Sequence, residues 1–206
     1  LTQFLCKKEI DLKLVEIDKE SILYLRLRYP QLEKNMLEAD FLKLNLQETF
    51  GNNFSLIGNF PYNISSQILF AVFENKDIIP EVVGMFQKEV AERVVARKGK
   101  RRGILSVLLQ AFYDIEYCFT VDEHVFQPPP KVKSGVIKLK RNKLEKLPCD
   151  EKLFKQIVKA GFNQRRKTLR NALKSFSLEN ELKQLNFFQK RAEELFVEDF
   201  IKLTNL

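Results

Sequence analysis

Histidine and cysteine are scarce in this sequence, and their scarcity argues against several kinds of site. The chain of 206 residues has one histidine, His124, and three cysteines, Cys6, Cys118 and Cys149. Because no CxxC pair is present and histidine is single, the sequence argues against a zinc site and against a histidine-based catalytic triad. Unpaired thiols fit a reducing compartment. We therefore expect no metal site in this protein.

Long apolar runs and an N-terminal signal segment are also lacking. The most apolar helix candidate, residues 64–73, is far shorter than the roughly 20 residues that span a bilayer. Hydrophobic residues still make up 45% of the chain, which is enough for a packed core. We expect a soluble, cytoplasmic monomer with no membrane partner.

Acidic residues are outnumbered, and the excess of positive charge is concentrated in two clusters. The formal net charge is +8 and the pI is about 9.3, which favours a polyanionic partner without saying which one. The first cluster contains Lys88, Arg93, Arg97, Lys98, Lys100, Arg101 and Arg102. The second contains Lys159, Arg165, Arg166, Lys167, Arg170 and Lys174, with no acid between them. Such clusters neutralise phosphates and fix orientation without reading a base sequence.

The first part of the chain alternates short apolar runs with segments of helical spacing, which predicts an α/β fold with a mostly parallel sheet. The predicted strands lie at residues 12–17, 35–39, 54–58, 82–86, 115–121 and 136–140. The predicted helices lie at residues 20–29, 64–74, 88–97 and 103–112, with Asn63 or Ser65 as a cap of the second. Beyond residue 142 only helical spacing remains, at residues 153–162, 168–176 and 189–203. We therefore predict a catalytic domain over residues 1–142 and a small helical domain over residues 143–206.

One short segment, residues 58–63, has the composition of a chemical site. It follows a predicted strand and precedes a helix, and ligands of open α/β sheets bind beyond the carboxyl ends of strands. Pro61 has no N–H and restricts Phe60 to extended backbone. The turn therefore offers the Asn59 side chain and backbone carbonyls as acceptors, and Tyr62 adds an aromatic face. Two acceptors beside a stacking surface suit the exocyclic amine of a base.

The run from Asn59 to Phe70 closely resembles the Asn-(Ile/Leu/Phe)-Pro-Tyr signature of N6-adenine methyltransferases that use S-adenosylmethionine (SAM). Together with residues 85–91, 126–132 and 161–173, it is most similar to the bacterial KsgA-type ribosomal RNA adenine N6,N6-dimethyltransferases. The resemblance implies a Rossmann-like methyltransferase sheet followed by a small helical domain. It also implies methyl transfer from SAM, without a metal, to two adjacent adenines near the 3′ end of small-subunit (16S) rRNA in immature 30S subunits.

The resemblance also assigns roles to individual residues. It places the catalytic roles on Asn59, Phe60, Pro61, Tyr62 and Phe126, with Asn59 and the Phe60 carbonyl accepting the two amine hydrogens. It places SAM against Glu16, Ile17, Asp40, Phe41 and Asn59. It places rRNA against Arg93, Arg97, Lys98, Lys100, Arg101, Arg102, Arg165, Arg166, Lys167 and Arg170.

The residues themselves support some of these roles and leave others open. Glu16 and Asp40 lie where predicted strands end, a position typical of acids that bind nucleotide-like cofactors, although such acids also serve as plain caps or turn residues. Three prolines stiffen the loop after Phe126 and can hold its ring as a rigid platform. The resemblance implies that this ring and Tyr62 sandwich an adenine taken out of its stack. A polyproline linker is the alternative, but these prolines lie between two predicted strands.

The sequence departs from the family at its start. Members of the family begin with a strand and a glycine-rich loop that holds the methionine part of SAM. Neither is present in this sequence, which starts at Leu1 and not at a methionine. We expect these 206 residues to be a piece of a longer protein that binds SAM weakly by itself. Arg101 and Arg102 stand where relatives often carry an aromatic residue.

Two other functions remain as alternatives. A DNA amino-methyltransferase shares a related turn, but Phe60 and the basic helical tail argue against it. A non-catalytic ribosome-assembly factor is the other alternative, and the presence of Asn59, Tyr62 and Phe126 argues against it. A methylation assay that compares DNA with immature subunits distinguishes a DNA methyltransferase from an rRNA methyltransferase. Asn59→Ala tests the second alternative, because an assembly role should survive this change and a methylation role should not.

Overall fold

The computed structural model describes residues 1–176 and 186–206 of the chain. It divides into two compact units, residues 1–52 and residues 53–206. Each unit has its own sheet. The domain boundary predicted near residue 142 stays a prediction.

The first unit contains a pair of parallel strands with short helices. Its elements are α1 (Thr2–Leu5), β1 (Leu14–Glu16), α2 (Lys19–Arg28), β2 (Met36–Glu38) and α3 (Leu46–Phe50). The two strands pair in register, Glu16 opposite Glu38, so both carboxyl ends lie at the same edge. Helix α2 begins where the Asp18 carboxylate accepts the Ser21 N–H, a bond that lowers the pKa of Asp18. The helix ends just before Pro30, as the sequence predicts.

The second unit is built on a four-stranded sheet in the order β3-β4-β6-β5. The strands are β3 (Leu56–Asn59), β4 (Glu81–Gln87), β5 (Tyr113–Val121) and β6 (Ser134–Arg141). Only β3 and β4 are parallel, while β6 is antiparallel to both of its neighbours. The expectation of a mostly parallel sheet is therefore wrong for this unit. The loop over residues 122–133 joins β5 directly to β6 without a crossover helix, so the chain returns antiparallel, whereas parallel strands need a crossover.

Helices cover this sheet and continue to the end of the chain. They are α4 (Ser65–Glu74), α5 (Lys88–Val95), α6 (Ile104–Gln110), α7 (Glu151–Asn163), α8 (Leu169–Ala172) and α9 (Val197–Thr204). Apolar side chains at helical spacing on α4, among them Ile68, Leu69 and Val72, are almost fully buried. Truncating one of them to alanine costs about 2–5 kcal/mol of stability, because a cavity is left. The core thus holds β3 and β4 in fixed positions.

The predicted helices of the last segment are only partly confirmed. Helix α7 agrees with the prediction and is capped by Asp150, which accepts the Leu153 N–H. The helix predicted over residues 168–176 is reduced to α8, and that predicted over residues 189–203 is helical only in α9. The residues before α9 form 3₁₀ turns, in which side chains three apart also align, so their spacing resembles that of an α-helix.

No helix among the described residues is both long enough and apolar enough to cross a membrane.

Candidate active site and nucleic-acid interface

The Asn59–Tyr62 turn leaves the sheet at the carboxyl end of β3. Asn59 is the last residue of this strand and lies opposite Met85 of β4. The ladder continues for one more bond, because the Phe60 N–H donates to the Met85 carbonyl at 3.2 Å. Asn59 and Pro61 are exposed, whereas only 8% of Phe60 is accessible. The turn therefore alternates between a solvent-facing amide, a buried ring and an exposed proline.

The Phe60 ring anchors this turn in the sheet. It stacks on Phe86 with a centroid separation of 5.2 Å and an angle of 26° between the rings. It also covers Gly58 and Gly84, where a Cβ atom would lie 2.7 Å and 2.8 Å from the ring. Because neither glycine has a side chain, the ring lies directly on the backbone of two neighbouring strands. This packing fixes the position from which Asn59 projects.

Within the described parts of the chain, some polar atoms of the turn make hydrogen bonds within the protein, and others make none. The Pro61 carbonyl accepts from the Ile64 N–H and from the Ser65 hydroxyl, both at 3.2 Å. Neither Asn63 nor Ser65 caps α4; Ile64 stands at that position, and the Ser65 hydroxyl donates back to the turn instead. Over the described residues, the Asn59 amide and the Phe60 carbonyl make no side-chain or turn hydrogen bond.

Tyr62 is held at both ends. Its backbone lies in a 3₁₀ turn, and its hydroxyl lies 2.6 Å from the Ser134 hydroxyl at the start of β6. Ser134 is fully buried, while Tyr62 is half-buried. No other aromatic ring in residues 1–176 or 186–206 stacks on Tyr62. The ring is thus oriented from its hydroxyl and from its backbone.

Phe126 lies in the loop over residues 122–133, between β5 and β6, as the sequence predicts. The base of this loop is closed by pairing of Val121 with Ser134 and by an ion pair between Asp122 and Lys133. The hydrogen bond from Lys133 lowers the pKa of Asp122 and raises that of Lys133. Phe126 is half-buried, and its N–H donates to the Glu123 carbonyl at 3.2 Å. The Phe126 loop and Tyr62 are therefore both connected to Ser134.

Within the first unit, Glu16 and Asp40 lie at the same edge of the β1–β2 pair. Glu16 ends β1, and its Oε1 accepts the N–H groups of Ile17 and Asp18 at 2.8 and 2.9 Å. Asp40 lies two residues beyond β2, and its Oδ1 accepts the Leu42 N–H at 3.0 Å. These bonds hold one oxygen of each carboxylate to the backbone. The other oxygen of Glu16 can receive a donor from a ligand, while Oδ2 of Asp40 lies 3.6 Å from the exposed Nζ of Lys43, with which a ligand donor would compete.

Two apolar side chains accompany these acids. Ile17 follows Glu16 and is 64% exposed, although the three residues of β1 before it are half-buried. Phe41 begins the 3₁₀ turn that Asp40 caps, and it is half-buried. Each predicted cofactor residue of this unit thus lies at the strand ends, with an acid next to an apolar group.

The two basic clusters meet in the second unit through Arg165. Its Nη2 donates to the carbonyls of Lys100 and Arg102 at 2.6 and 2.9 Å. The Gly99 N–H donates to the Glu193 carbonyl at 2.7 Å, and Glu193 also lies 3.5 Å from Arg165. Exposed cations flank the bonded residues along the chain: Arg97, Lys98, Lys100, Arg101, Arg166, Lys167 and Arg170. The predicted nucleic-acid surface is therefore one composite patch.

One predicted RNA contact is wrong. Arg102 is fully buried, so its guanidinium cannot reach a phosphate from this position. Its Nη1 instead donates to the carbonyls of Ala96 and Arg97 and, at 3.2 Å, to the Gln110 side chain. Burial lowers the pKa of Arg102 to about 10, which still leaves it charged at neutral pH. The residue follows basic neighbours in the sequence, and that context alone suggested an exposed side chain.

Arg93 and Arg101 are less free than the other predicted contacts. Arg93 pairs with Glu89 at 2.6 Å, one helical turn away on α5. Arg101 pairs with Glu92 at 2.7 Å, although 70% of its side chain is exposed. Such surface pairs contribute at most about 1 kcal/mol, so a phosphate can compete with the carboxylate.

The sequence did not single out three residues that shape this site. Gly84 and Phe86 receive the Phe60 ring, and Ser134 receives the Tyr62 hydroxyl. The only signal for them was their place in strands, because a contact across 72 residues of chain has no local pattern. No group of three or more potential metal ligands lies close together in the described parts of the chain.

Comparisons with known proteins identify relatives of this chain. The ribosomal RNA small subunit methyltransferase A of Cytophaga hutchinsonii is 61% identical over all of this chain and 81% of its own length. The protein of the same name from Bacteroides thetaiotaomicron is 60% identical over all of this chain and 78% of its own.

Two solved structures share the fold, which is that of Rossmann-like rRNA methyltransferases. A dimethyladenosine transferase from Plasmodium falciparum has a TM-score of 0.75 and 25% identity over 92% of this chain and 78% of its own. The 23S rRNA methyltransferase ErmE has a TM-score of 0.71 over all of this chain and 86% of its own, with 20% identity.

The family model described as ribosomal RNA adenine dimethylase matches residues 4–206. On this match, and on relatives that share about three fifths of its residues, the chain belongs to the ribosomal RNA adenine dimethylase family.

Proposed function

We propose that this protein transfers methyl groups from SAM to N6 of two adjacent adenines near the 3′ end of small-subunit rRNA, in immature 30S subunits in the cytoplasm, as a monomer. The observation that carries the proposal is the Asn59–Tyr62 turn at the end of β3. It combines acceptors that are not used by the protein with an oriented aromatic ring. Family membership and the names of the relatives support the choice of rRNA as substrate.

The turn acts on the target amine by hydrogen bonding. The lone pair of an adenine amine is delocalised into the ring, so the amine is a poor nucleophile. The Asn59 side-chain oxygen and the Phe60 carbonyl accept hydrogen bonds from the two amine hydrogens. These bonds draw the nitrogen lone pair out of conjugation with the ring and direct it toward the methyl donor. Because the Phe60 ring is packed against Phe86, both acceptors are held before the base arrives. Pre-organised acceptors of this kind lower the barrier because they need no rearrangement during the reaction.

The target base is held by stacking. Tyr62 and Phe126 are half-buried, and each is attached to a segment that is fixed at Ser134. We assign these two rings to the faces of an adenine that has left its stack. Each stacked base gains roughly 1–3 kcal/mol from such contact, without regard to sequence. Pro61 keeps the two acceptors and the Tyr62 ring at a fixed separation.

The residues of the first unit fit the adenosine part of SAM. One oxygen each of Glu16 and Asp40 is free of the backbone bonds that hold these carboxylates. Carboxylates accept from ribose hydroxyls and from an adenine amine, while Ile17 and Phe41 offer apolar contact to a purine. When bound, SAM supplies an electrophilic methyl group. The exposed Ile17 is the observation that favours a ligand here.

The composite basic patch binds the phosphates of the RNA backbone around the target base. Its exposed cations suit phosphates from more than one strand, because Arg165 joins two separate chain segments. Phosphate contacts of this kind supply affinity and orientation, while the site itself selects the base. Arg102 is excluded from this role by its burial.

The function is tested in the full-length protein by transfer of tritium from labelled SAM. Small subunits from cells that lack the modification are the expected substrate, with naked DNA and large subunits as comparisons. Asn59→Ala is expected to lower methylation of small subunits by about a hundredfold to a thousandfold, because one of the two acceptors is lost from a pre-organised site. Binding of the subunit, measured by co-sedimentation, is expected to stay within twofold of wild type.

The same experiment separates the alternatives. Label on DNA, or on large subunits alone, would contradict the proposed substrate. A protein that promotes subunit assembly equally well with Asn59→Ala, and that incorporates no label, would be an assembly factor without this chemistry.

A further inference from the structure

A buried hydroxyl lies behind the Tyr62 ring. The Oγ atom of Ser134 is 2.6 Å from the Tyr62 hydroxyl, and Ser134 is fully buried at the first position of β6. We propose that Ser134 is a positioning residue for the methyl transfer: it fixes the Tyr62 ring so that the stacked adenine presents its amine to Asn59. This inference rests on the proposed function and adds to it a residue that does not touch the substrate.

Ser134 is a rigid anchor because it is bonded on both sides. It pairs with Gln87 of β4 and with Val121 of β5. The preceding residue, Lys133, is also fixed, since its carbonyl accepts the Lys88 N–H at 2.9 Å. A hydroxyl in such surroundings cannot follow the motion of Tyr62, so the hydrogen bond constrains the ring.

Tyr62 needs this constraint because its ring has two free torsions once the backbone is fixed. The 3₁₀ turn determines where the Cα atom lies, but it leaves the ring able to rotate about χ1 and χ2. A hydrogen bond at the far end of the ring restrains χ1, and so fixes where the ring lies; the hydroxyl oxygen is on the χ2 axis, so the rotation of the ring plane is left to the base that stacks on it. A base stacked on a ring held in this place lies at a defined distance from the Asn59 acceptors, and small errors in such alignment are costly for the rate.

The same serine relates the two stacking residues to each other. Ser134 ends the loop that carries Phe126, and it also receives the hydroxyl of Tyr62. Ser134 thus lies both at the base of the Phe126 loop and at the far end of the Tyr62 ring. Loss of the Ser134 hydroxyl is expected to loosen the Tyr62 side and to leave the backbone pairing of the loop in place, because that pairing uses main-chain atoms.

The inference is tested by a double-mutant cycle in the full-length protein, with Ser134→Ala, Tyr62→Phe and the double variant. The readout is methyl transfer to small subunits that lack the modification. Each single variant is expected to lower kcat about tenfold and to leave KM for the subunit within about twofold, because backbone contacts dominate binding. The double variant is expected to be no slower than the slower single variant, since both remove the same hydrogen bond.

A second readout follows the base itself. An RNA with 2-aminopurine at the target position loses fluorescence when that base stacks on an aromatic ring. Ser134→Ala is expected to reduce this quenching at saturating protein. Ser106→Ala is the matched control, because Ser106 is equally buried but bonds to the Gly103 N–H and the Arg93 carbonyl. Its effect is expected to be independent of Tyr62→Phe.

Several results would overturn the role of Ser134. They are a wild-type kcat for Ser134→Ala, losses that multiply in the double variant, or unchanged quenching. If Ser134→Ala does not fold, Tyr62→Phe still decides, because it keeps the ring and removes the bond; a wild-type kcat there would contradict the inference. Failure of the proposed function shows differently, as normal methylation by Asn59→Ala.

Discussion

A single buried ring determines where the reactive turn lies. Phe60 contacts the backbone of two adjacent strands, and this contact is possible only because residues 58 and 84 are glycines. A Cβ atom at residue 84 would lie 2.5 Å from the Phe86 ring and 2.8 Å from the Phe60 ring. The position of Asn59 therefore depends on Phe60, whose side chain carries no polar or reactive group.

Gly84→Ala tests this dependence. The added methyl group is expected to push both rings apart and to lower the free energy of unfolding by about 1–3 kcal/mol. It is also expected to reduce kcat, because the Asn59 acceptors move with the Phe60 backbone. Urea denaturation measures the first effect, and methyl transfer at temperatures where the protein stays folded measures the second.

Gly103→Ala is the control for that change. Its nearest neighbour would be an Arg93 side-chain atom at 3.4 Å, which is ordinary contact, and its backbone is extended. A loss below about 1 kcal/mol with unchanged kcat is expected. Equal effects of the two substitutions would show that the Phe60 packing is not what positions the turn.

Much of the site was predictable at the level of residues, but only where local chemistry carried the signal. The acceptors of Asn59 and Phe60 and the ring of Tyr62 follow from a contiguous run of sequence. The apolar pattern predicted that Glu16 and Asp40 lie near strand ends, and the structure places them there, but their role in binding a cofactor comes from the resemblance and stays a prediction. Ser134 was not predictable, because its partner lies 72 residues away and a serine at a strand start has no distinctive pattern.

Among the elements, α5 and α6 are joined by the buried guanidinium of Arg102. It donates to backbone carbonyls just after α5 and to Gln110 at the end of α6. Gln110 donates in turn to the carbonyls of Val94 and Ala96 at 2.8 and 3.1 Å. The segment between the two helices, which displays much of the first basic cluster, is thus folded around Arg102.

Arg102→Ala is expected to lower the free energy of unfolding by about 2–4 kcal/mol, because buried acceptors lose their donor. Its neighbour provides the control: Arg101→Ala removes an exposed guanidinium paired with Glu92 and is expected to change stability by less than about 1 kcal/mol. Chemical denaturation of both variants gives the comparison. Similar small losses would mean that Arg102 is not a structural residue.

Elements were predicted more reliably than their pairing and their ends. The strands were found because apolar runs mark them, yet β6 inserts antiparallel between β4 and β5, and no run of residues encodes that choice. Three-residue spacing before α9 suggested a helix where the chain forms 3₁₀ turns. Residues 177–185, close to the end of one predicted helix, lie outside the described residues.

On the scale of the whole molecule, the proposed function assigns the positive charge and the Asn59–Tyr62 turn to one substrate. The net charge of +8 is expressed in a patch where two distant segments meet at Arg165. A protein of this charge binds many polyanions, so its selectivity comes from the site that accepts the base. The central claim is therefore that a purine amine is held by Asn59 and Phe60 while it is methylated.

The most direct test is the identity of the product. Small subunits that lack the modification are incubated with the full-length protein and SAM, and their rRNA is digested and analysed by mass spectrometry. The account predicts N6,N6-dimethyladenosine at two adjacent positions near the 3′ end, formed at least about a hundredfold more slowly when Asn59 is replaced by alanine. Methylation of any other atom or base, or dimethyladenosine formed equally by Asn59→Ala, would contradict it.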